Sequence, residues 1–111
     1  MTIHAANYDN VTVLAIKDEL AGDTVEVFVE QTAKCLNNGR HHLVLDCSGL
    51  EGLDSTSLEA LLDLQNKCEE QLGAVKLCGL NATSAKILEI TRLARRFETF
   101  DDLESAVKSF G

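Results

Sequence analysis

A chain of 111 residues and 12.1 kDa is long enough to bury one hydrophobic core and too short for two, so residues 1–111 are expected to form one domain that carries the whole function. Its 18 Asp and Glu against 10 Lys and Arg leave a net charge of −8, the wrong sign for a phosphate backbone or an anionic lipid surface, and this argues against nucleic acid or membrane as direct partners. Hydrophobic residues at 45% and charged ones at 25% are the balance of a folded chain rather than a disordered one.

The opening Met1-Thr2-Ile3-His4 has neither the basic start nor the apolar run of a signal peptide, and no segment reaches the roughly 18 apolar residues of a membrane span. A cytoplasmic location is therefore expected. Ile3–Tyr8 and Val11–Ile16 read as two β segments around Asp9-Asn10, the second rich in β-branched residues, so a hairpin opens the fold. Asp23-Thr24-Val25-Glu26 has the spacing of a helix capping box, and Val25, Phe28, Val29, Thr32 and Leu36 then recur at helical intervals up to Asn37-Asn38-Gly39. Leu43-Val44-Leu45, ended by Asp46, is the short continuous apolar run of a strand covered on both faces. Ser48-Gly49-Leu50-Glu51-Gly52-Leu53 reads as the turn after it.

Thr56-Ser57-Leu58-Glu59 repeats the capping-box spacing and opens a second helix whose Leu58, Leu61, Leu62, Cys68 and Leu72 line one face before Gly73. Ala74–Gly79 is the next strand, and a β-α-β unit of this length makes the two strands parallel with a right-handed crossover. Asn81 or Thr83 caps a third helix carrying Ile87, Leu88, Ile90 and Leu93. A short edge strand over Phe97–Phe100 follows. Asp101-Asp102-Leu103-Glu104 then starts a terminal helix with Leu103, Ala106, Val107 and Phe110 as its stripe. The order ββαβαβαβα predicts an α/β fold, a mixed β-sheet of four to five strands with four helices.

The side chains that could carry chemistry are few. Cys35, Cys47, Cys68 and Cys78 are scattered rather than in close pairs, the pattern of free buried thiols and not of a zinc or redox site. His41 and His42 read as surface or hydrogen-bonded histidines. Arg92, Arg95 and Arg96 read as cations complementing a helix C-terminus. No nucleophile elbow, phosphate loop or dinucleotide glycine motif occurs, so neither an enzyme nor a bound cofactor is expected.

The cluster that stands out is Asp54-Ser55-Thr56-Ser57, hydroxyls and a carboxylate between a buried strand and a helix start. A phosphate on Ser55 would lie near backbone N–H groups and the positive end of the helix dipole, so the position can hold a dianion without unfolding. The same residue types also cap helices with no further role, and local pattern alone leaves both readings open.

The run Leu43-Val44-Leu45-Asp46-Cys47-Ser48-Gly49-Leu50-Glu51-Gly52-Leu53-Asp54-Ser55-Thr56 resembles the signature of STAS domains, specifically the small anti-sigma factor antagonists. The resemblance continues through Ala74–Leu80, Ile90-Thr91-Arg92-Leu93, Phe97 and Asp101–Ala106, nearly the whole chain. It implies a STAS-type fold and a partner-switching cycle. The unphosphorylated protein binds an anti-sigma factor that is a serine kinase and makes it release its sigma factor. Phosphorylation of the hydroxyl after the Asp, here Ser55, ends that binding, and a PP2C-like phosphatase restores it. Asp54, Thr56 and Ser57 would shape the recognition surface, together with Glu19 and Asp23 from the loop Lys17–Asp23, which lies beside the phosphosite in family members. Three positions depart from the family pattern: Ser57 stands where Gly usually follows the modified pair, and Asp18 and Ala21 replace the Gly and Asp flanking Glu19-Leu20. A monomer or weak dimer is expected. The alternatives are a non-catalytic subunit of an ABC-type lipid transporter, a signalling scaffold, and a small-molecule or nucleotide binder.

Overall fold

The computed structural model describes residues 2–110, so Met1 and Gly111, the ends of the expected domain, lie outside it. The elements are β1 (Thr2–Tyr8), β2 (Val11–Leu20), α1 (Asp23–Asn37), β3 (His42–Leu53), α2 (Ser55–Glu70), β4 (Ala74–Cys78), α3 (Ala82–Ile90), a 3-10 turn (Leu93–Arg96), β5 (Glu98–Phe100) and α4 (Leu103–Lys108). The expected order and fold class are therefore what the chain adopts. The five strands lie in chain order in one sheet. Only β1 and β2 run antiparallel, and β2, β3, β4 and β5 are parallel.

Because each parallel strand is added one place further along in the same direction, a constant crossover hand delivers every connecting helix to the same face. Phe28 of α1, Leu61, Leu64 and Cys68 of α2 and Leu88 of α3 accordingly share one core with Leu14, Ile16, Leu43, Leu45, Val75 and Leu77 of the sheet. Among the described residues the other face is covered by α4 and the turn that follows it, whose Leu103, Ala106, Val107 and Phe110 pack on Val11, Val13, Val44 and Cys78. The four cysteines are free, with Cys47, Cys68 and Cys78 buried and Cys35 half-buried. Burial pushes the Cys47 thiol up to about 12.

Several expectations are corrected. The segment Ser48–Leu53, expected as a turn, is the second half of β3, pairing with Lys17–Leu20 of β2 through two register shifts. Gly49 and Gly52 belong to that bulged ladder, and a Cβ on Gly49 would come within 3.1 Å of the Lys17 side chain. No capping box forms at Asp23: Gly22, at φ 56°, is the cap residue of α1, and the Thr24 hydroxyl turns back to the Glu19 and Ala21 carbonyls. Asp102 rather than Asp101 caps α4, and of the two candidates for α3 it is Asn81 that caps. Val29 and Ile90 point outward, because tertiary packing uses only part of each apolar stripe. His41 and His42 are half-buried, and the Nδ1 of each is buried without a hydrogen-bond partner. The His42 ring meets Phe110 edge-on at 5.2 Å, and the Lys76 ammonium sits 4.2 Å from the same phenyl ring. Burial, aided by the charges of His41, Lys76 and Arg40, lowers the His42 pKa.

Leu72 is the clearest reversal. Helical spacing puts it on the core face of α2, yet it is 91% exposed at φ 63°. The Leu72 N–H donates to the Glu69 carbonyl and the Gly73 N–H to the Cys68 carbonyl, the pair of bonds that ends a helix through a left-handed residue normally supplied by glycine. Leu72→Gly is therefore expected to raise stability by about 1 kcal/mol, the cost of holding an L side chain in that region, seen as a higher urea midpoint at unchanged slope. A lower midpoint would mean that the Leu72 side chain makes a compensating contact.

Candidate interaction site

The C-terminal end of the parallel sheet brings three segments together: the end of β2, the residues joining it to α1, and the junction of β3 with α2. The β2–β3 ladder sets Glu19 opposite Gly52 and Leu20 opposite Leu53, so both chains leave the sheet side by side. Asp54 then ties them. One carboxylate oxygen accepts the Ser57 N–H at 2.8 Å and the other accepts the Gly22 N–H at 3.1 Å. In return the Ser57 hydroxyl accepts the Asp54 N–H at 2.9 Å. The reciprocal box at the start of α2 is thus Asp54 with Ser57, not Thr56 with Glu59.

This division of labour shows which residues of the hydroxyl cluster cap the helix. Ser57, expected on the recognition surface, is completely buried and acts as the inner half of the cap, so it supports that surface only from beneath. Ser55 and Thr56 are exposed and are not needed to cap the helix. The first turn of α2 carries no acidic residue, and the Asp54 carboxylate at the cap meets its positive dipole end. Glu19 and Asp23 are exposed as well, and they flank the Gly22 that Asp54 holds. Of the expected site residues, the structure therefore brings Glu19, Asp23, Asp54, Ser55 and Thr56 to one end of the sheet and withdraws Ser57 into the core.

Asp18, in the place where the resemblance has glycine, adopts φ 67° beside a register shift. A left-handed bulge residue is where glycine is most at ease, and aspartate is among the side chains that tolerate it. The Gly22–Asp54 bond escapes sequence reasoning because it joins residues 32 positions apart. The one local signal for it is a glycine placed between a strand and a helix.

The Ser57 N–H first, and the Gly22 N–H second, hold the Asp54 carboxyl below its ordinary value. A carboxylate with a depressed folded pKa contributes its stabilisation in full above about 3.9, its unfolded value, and loses it as pH falls through the folded value. Asp54→Asn, which can still cap, is expected to flatten the acid limb of a stability–pH curve measured by urea unfolding. Identical limbs for the two proteins would show that this carboxylate has no such role.

The STAS domain family model matches residues 2–106, and the chain belongs to that family. Among curated proteins none matches its sequence significantly. Solved structures share the fold. The Thermotoga maritima protein TM1081 superposes with a TM-score of 0.91 at 23% identity, covering 96% of this chain and 92% of its own. An anti-sigma factor antagonist from Mycobacterium paratuberculosis gives 0.88 at 20%, covering 97% and 92%. The Bacillus cell fate determinant SpoIIAA in its phosphorylated form gives 0.79 at 16%, covering 99% and 100%.

Proposed function

We propose that this STAS protein is an anti-sigma factor antagonist working by partner switching in the cytoplasm, with Ser55 as the phosphorylated residue. Unphosphorylated, it binds an anti-sigma factor that is a serine kinase and displaces the sigma factor; phosphorylation ends the binding and a PP2C-like phosphatase resets it. The observation that carries this reading is the separation of roles at the α2 start: Asp54 and Ser57 complete the cap between them, leaving the Ser55 hydroxyl exposed at the positive end of the helix. SpoIIAA, which shares the fold, exists in both unphosphorylated and phosphorylated forms, which supports a modification cycle on this scaffold.

The physical logic has two sides. A phosphoserine at the first helical position gains from the helix dipole, so the fold tolerates it. In a closed interface the same group adds about −1.5 to −2 charges beside Asp54, Glu19 and Asp23, and repulsion with desolvation then opposes binding. The kinase supplies the ATP chemistry, and the acidic antagonist supplies a surface that a basic partner face can meet quickly.

Intact-mass measurement of the protein from its native cells, before and after phosphatase treatment, is expected to show a phosphate that maps to Ser55. Ser55→Ala is then used to capture the kinase. Ser55→Asp is expected to bind that kinase on the order of 100-fold more weakly than Ser55→Ala, the scale of like-charge juxtaposition at an interface. Equal binding by the two variants would sink the charge-switch reading.

A further inference from the structure

The two edges of the sheet are built differently. β5 ends one side with only three residues, led by the charged Glu98, the kind of short, charged edge that resists further pairing. β1 ends the other with seven residues, Thr2–Tyr8, paired to β2 without a single register shift. It contains no proline, lysine, arginine, aspartate or glutamate, and His4 through Tyr8 are exposed. None of the devices that normally blunt an edge strand is present along it.

Hairpin geometry states which of its backbone groups are free. Asp9-Asn10 is a two-residue loop closed by the Tyr8–Val11 pair, and in such a loop the closing pair exchanges both hydrogen bonds, after which bonding alternates along the ladder. The N–H and C=O groups of Tyr8, Ala6 and His4 therefore point to β2, and those of Ile3, Ala5 and Asn7 point outward. Asn7 and Ile3 are equally spaced about Ala5, so the edge is complementary to itself. Turned over by a two-fold axis through Ala5, it pairs Ala5 with Ala5, Ile3 with Asn7, and His4 with Ala6, with the smallest side chains at the axis.

We propose that β1 is a homodimerisation edge at which two copies of this chain join antiparallel to form a continuous ten-stranded sheet, a surface separate from the Ser55 site. Charge favours a second copy as the occupant. The chain as a whole carries −8, so most faces of one copy repel those of another. β1 itself has none of the formal charges, so two copies meet along it without like-charge contact, and Lys34 and Arg40, which lie beside Ala5 and Asn7, face a partner copy that is net acidic. Tyr8, 51% exposed, lies beside Leu103 and Val107 of α4, with Glu104 and Lys108 next to them paired to each other, so the apolar surface continues to one side of the joint without an unpaired charge.

Sedimentation velocity of the full chain from low micromolar to submillimolar concentration tests this, with hydrogen exchange read on the same samples. The wild type is expected to move from the monomer mass of 12.1 kDa to twice that value, while the amides of Ile3, Ala5 and Asn7 become protected as concentration rises. Ala5→Pro removes an outward N–H and spares the bonds to β2, and is expected to stay monomeric with its thermal unfolding little changed. Ala5→Lys makes the chain less acidic overall yet sets two like charges opposite each other at the axis. It is expected to weaken the dimer on the order of tenfold or more, because directly opposed like charges destabilise a ladder. A wild type that stays monomeric, or a dimer that both variants form as readily, would overturn the proposal.

Discussion

Gln65→Leu is expected to lower the stability of the folded state by about 3 kcal/mol, roughly the cost of leaving buried backbone groups without their partners. Gln65 is 3% exposed on the inner side of α2. Its amide oxygen accepts the Val75 N–H at 2.7 Å, and its amide nitrogen donates to the Val75 carbonyl at 3.2 Å and the Arg96 carbonyl at 2.6 Å. Val75 needs this because β5 begins one position too late. The β4–β5 ladder starts at Lys76 opposite Glu98, so the side-chain amide stands between the Val75 N–H and the Arg96 carbonyl that a ladder one position longer would join. Leucine fills similar space and supplies neither donor nor acceptor. Thermal unfolding should shift down on the order of 10 °C for a chain of this size. A second variant isolates the donor: Gln65→Glu keeps the acceptor, loses the donor at neutral pH and regains an O–H when protonated, so its deficit should narrow in acid. A Gln65→Leu protein as stable as the wild type would show that water replaces the amide at all three groups.

Gly73→Ala is expected to cost about 3 kcal/mol or more, at the upper end for forcing atoms into a packed site. A Cβ there would overlap the carbonyl oxygen of His41 and come within 2.7 Å of the carbonyl carbon. That carbonyl cannot step aside cheaply, because it also accepts the Ala74 N–H at 3.1 Å, the bond that leads β4 into register beside β3. Steric room is the issue here rather than conformational freedom, since Gly73 is not among the residues with positive φ. The neighbouring Leu72→Gly, which should stabilise, is the internal control. If the two changes had effects of the same sign, one of the two, the clash or the left-handed strain, would be misread. Urea unfolding of the two variants side by side settles it.

The candidate site is half legible in the sequence. An exposed hydroxyl at Ser55 next to Asp54 follows from the run Leu43–Thr56, because that run carries both the buried strand and the helix start. Which of the neighbouring hydroxyls is consumed by capping does not follow. Capping-box spacing fits Thr56 with Glu59 as well as Asp54 with Ser57, and the choice depends on where the strand releases the chain. β3 continues to Leu53, so the first residue free to cap is Asp54, and Ser57 falls into the buried third place. The pairing of Asp54 with Gly22 lies out of reach for a different reason, since nothing local links two loops that meet only through a parallel ladder.

The broader division is the same. Periodicity, glycines and caps are local quantities, and the order of elements, the opening hairpin, the α/β class and the apolar stripes of the helices are written in them directly. Three things are decided by tertiary contact. Ser48–Leu53, with Gly49 and Gly52 in it, is strand because β2 is there to pair with it and glycine suits a bulged ladder. Val29 and Ile90 are turned to solvent because a face of finite width covers only part of an apolar stripe, and Leu72 because the chain has already left the helix in a left-handed turn there. Gln65 is buried because a short edge strand leaves the Val75 N–H and the Arg96 carbonyl to be bridged. In each case the energy that decides is that of pairing or burying a group against a segment distant in sequence, which no window along the chain contains.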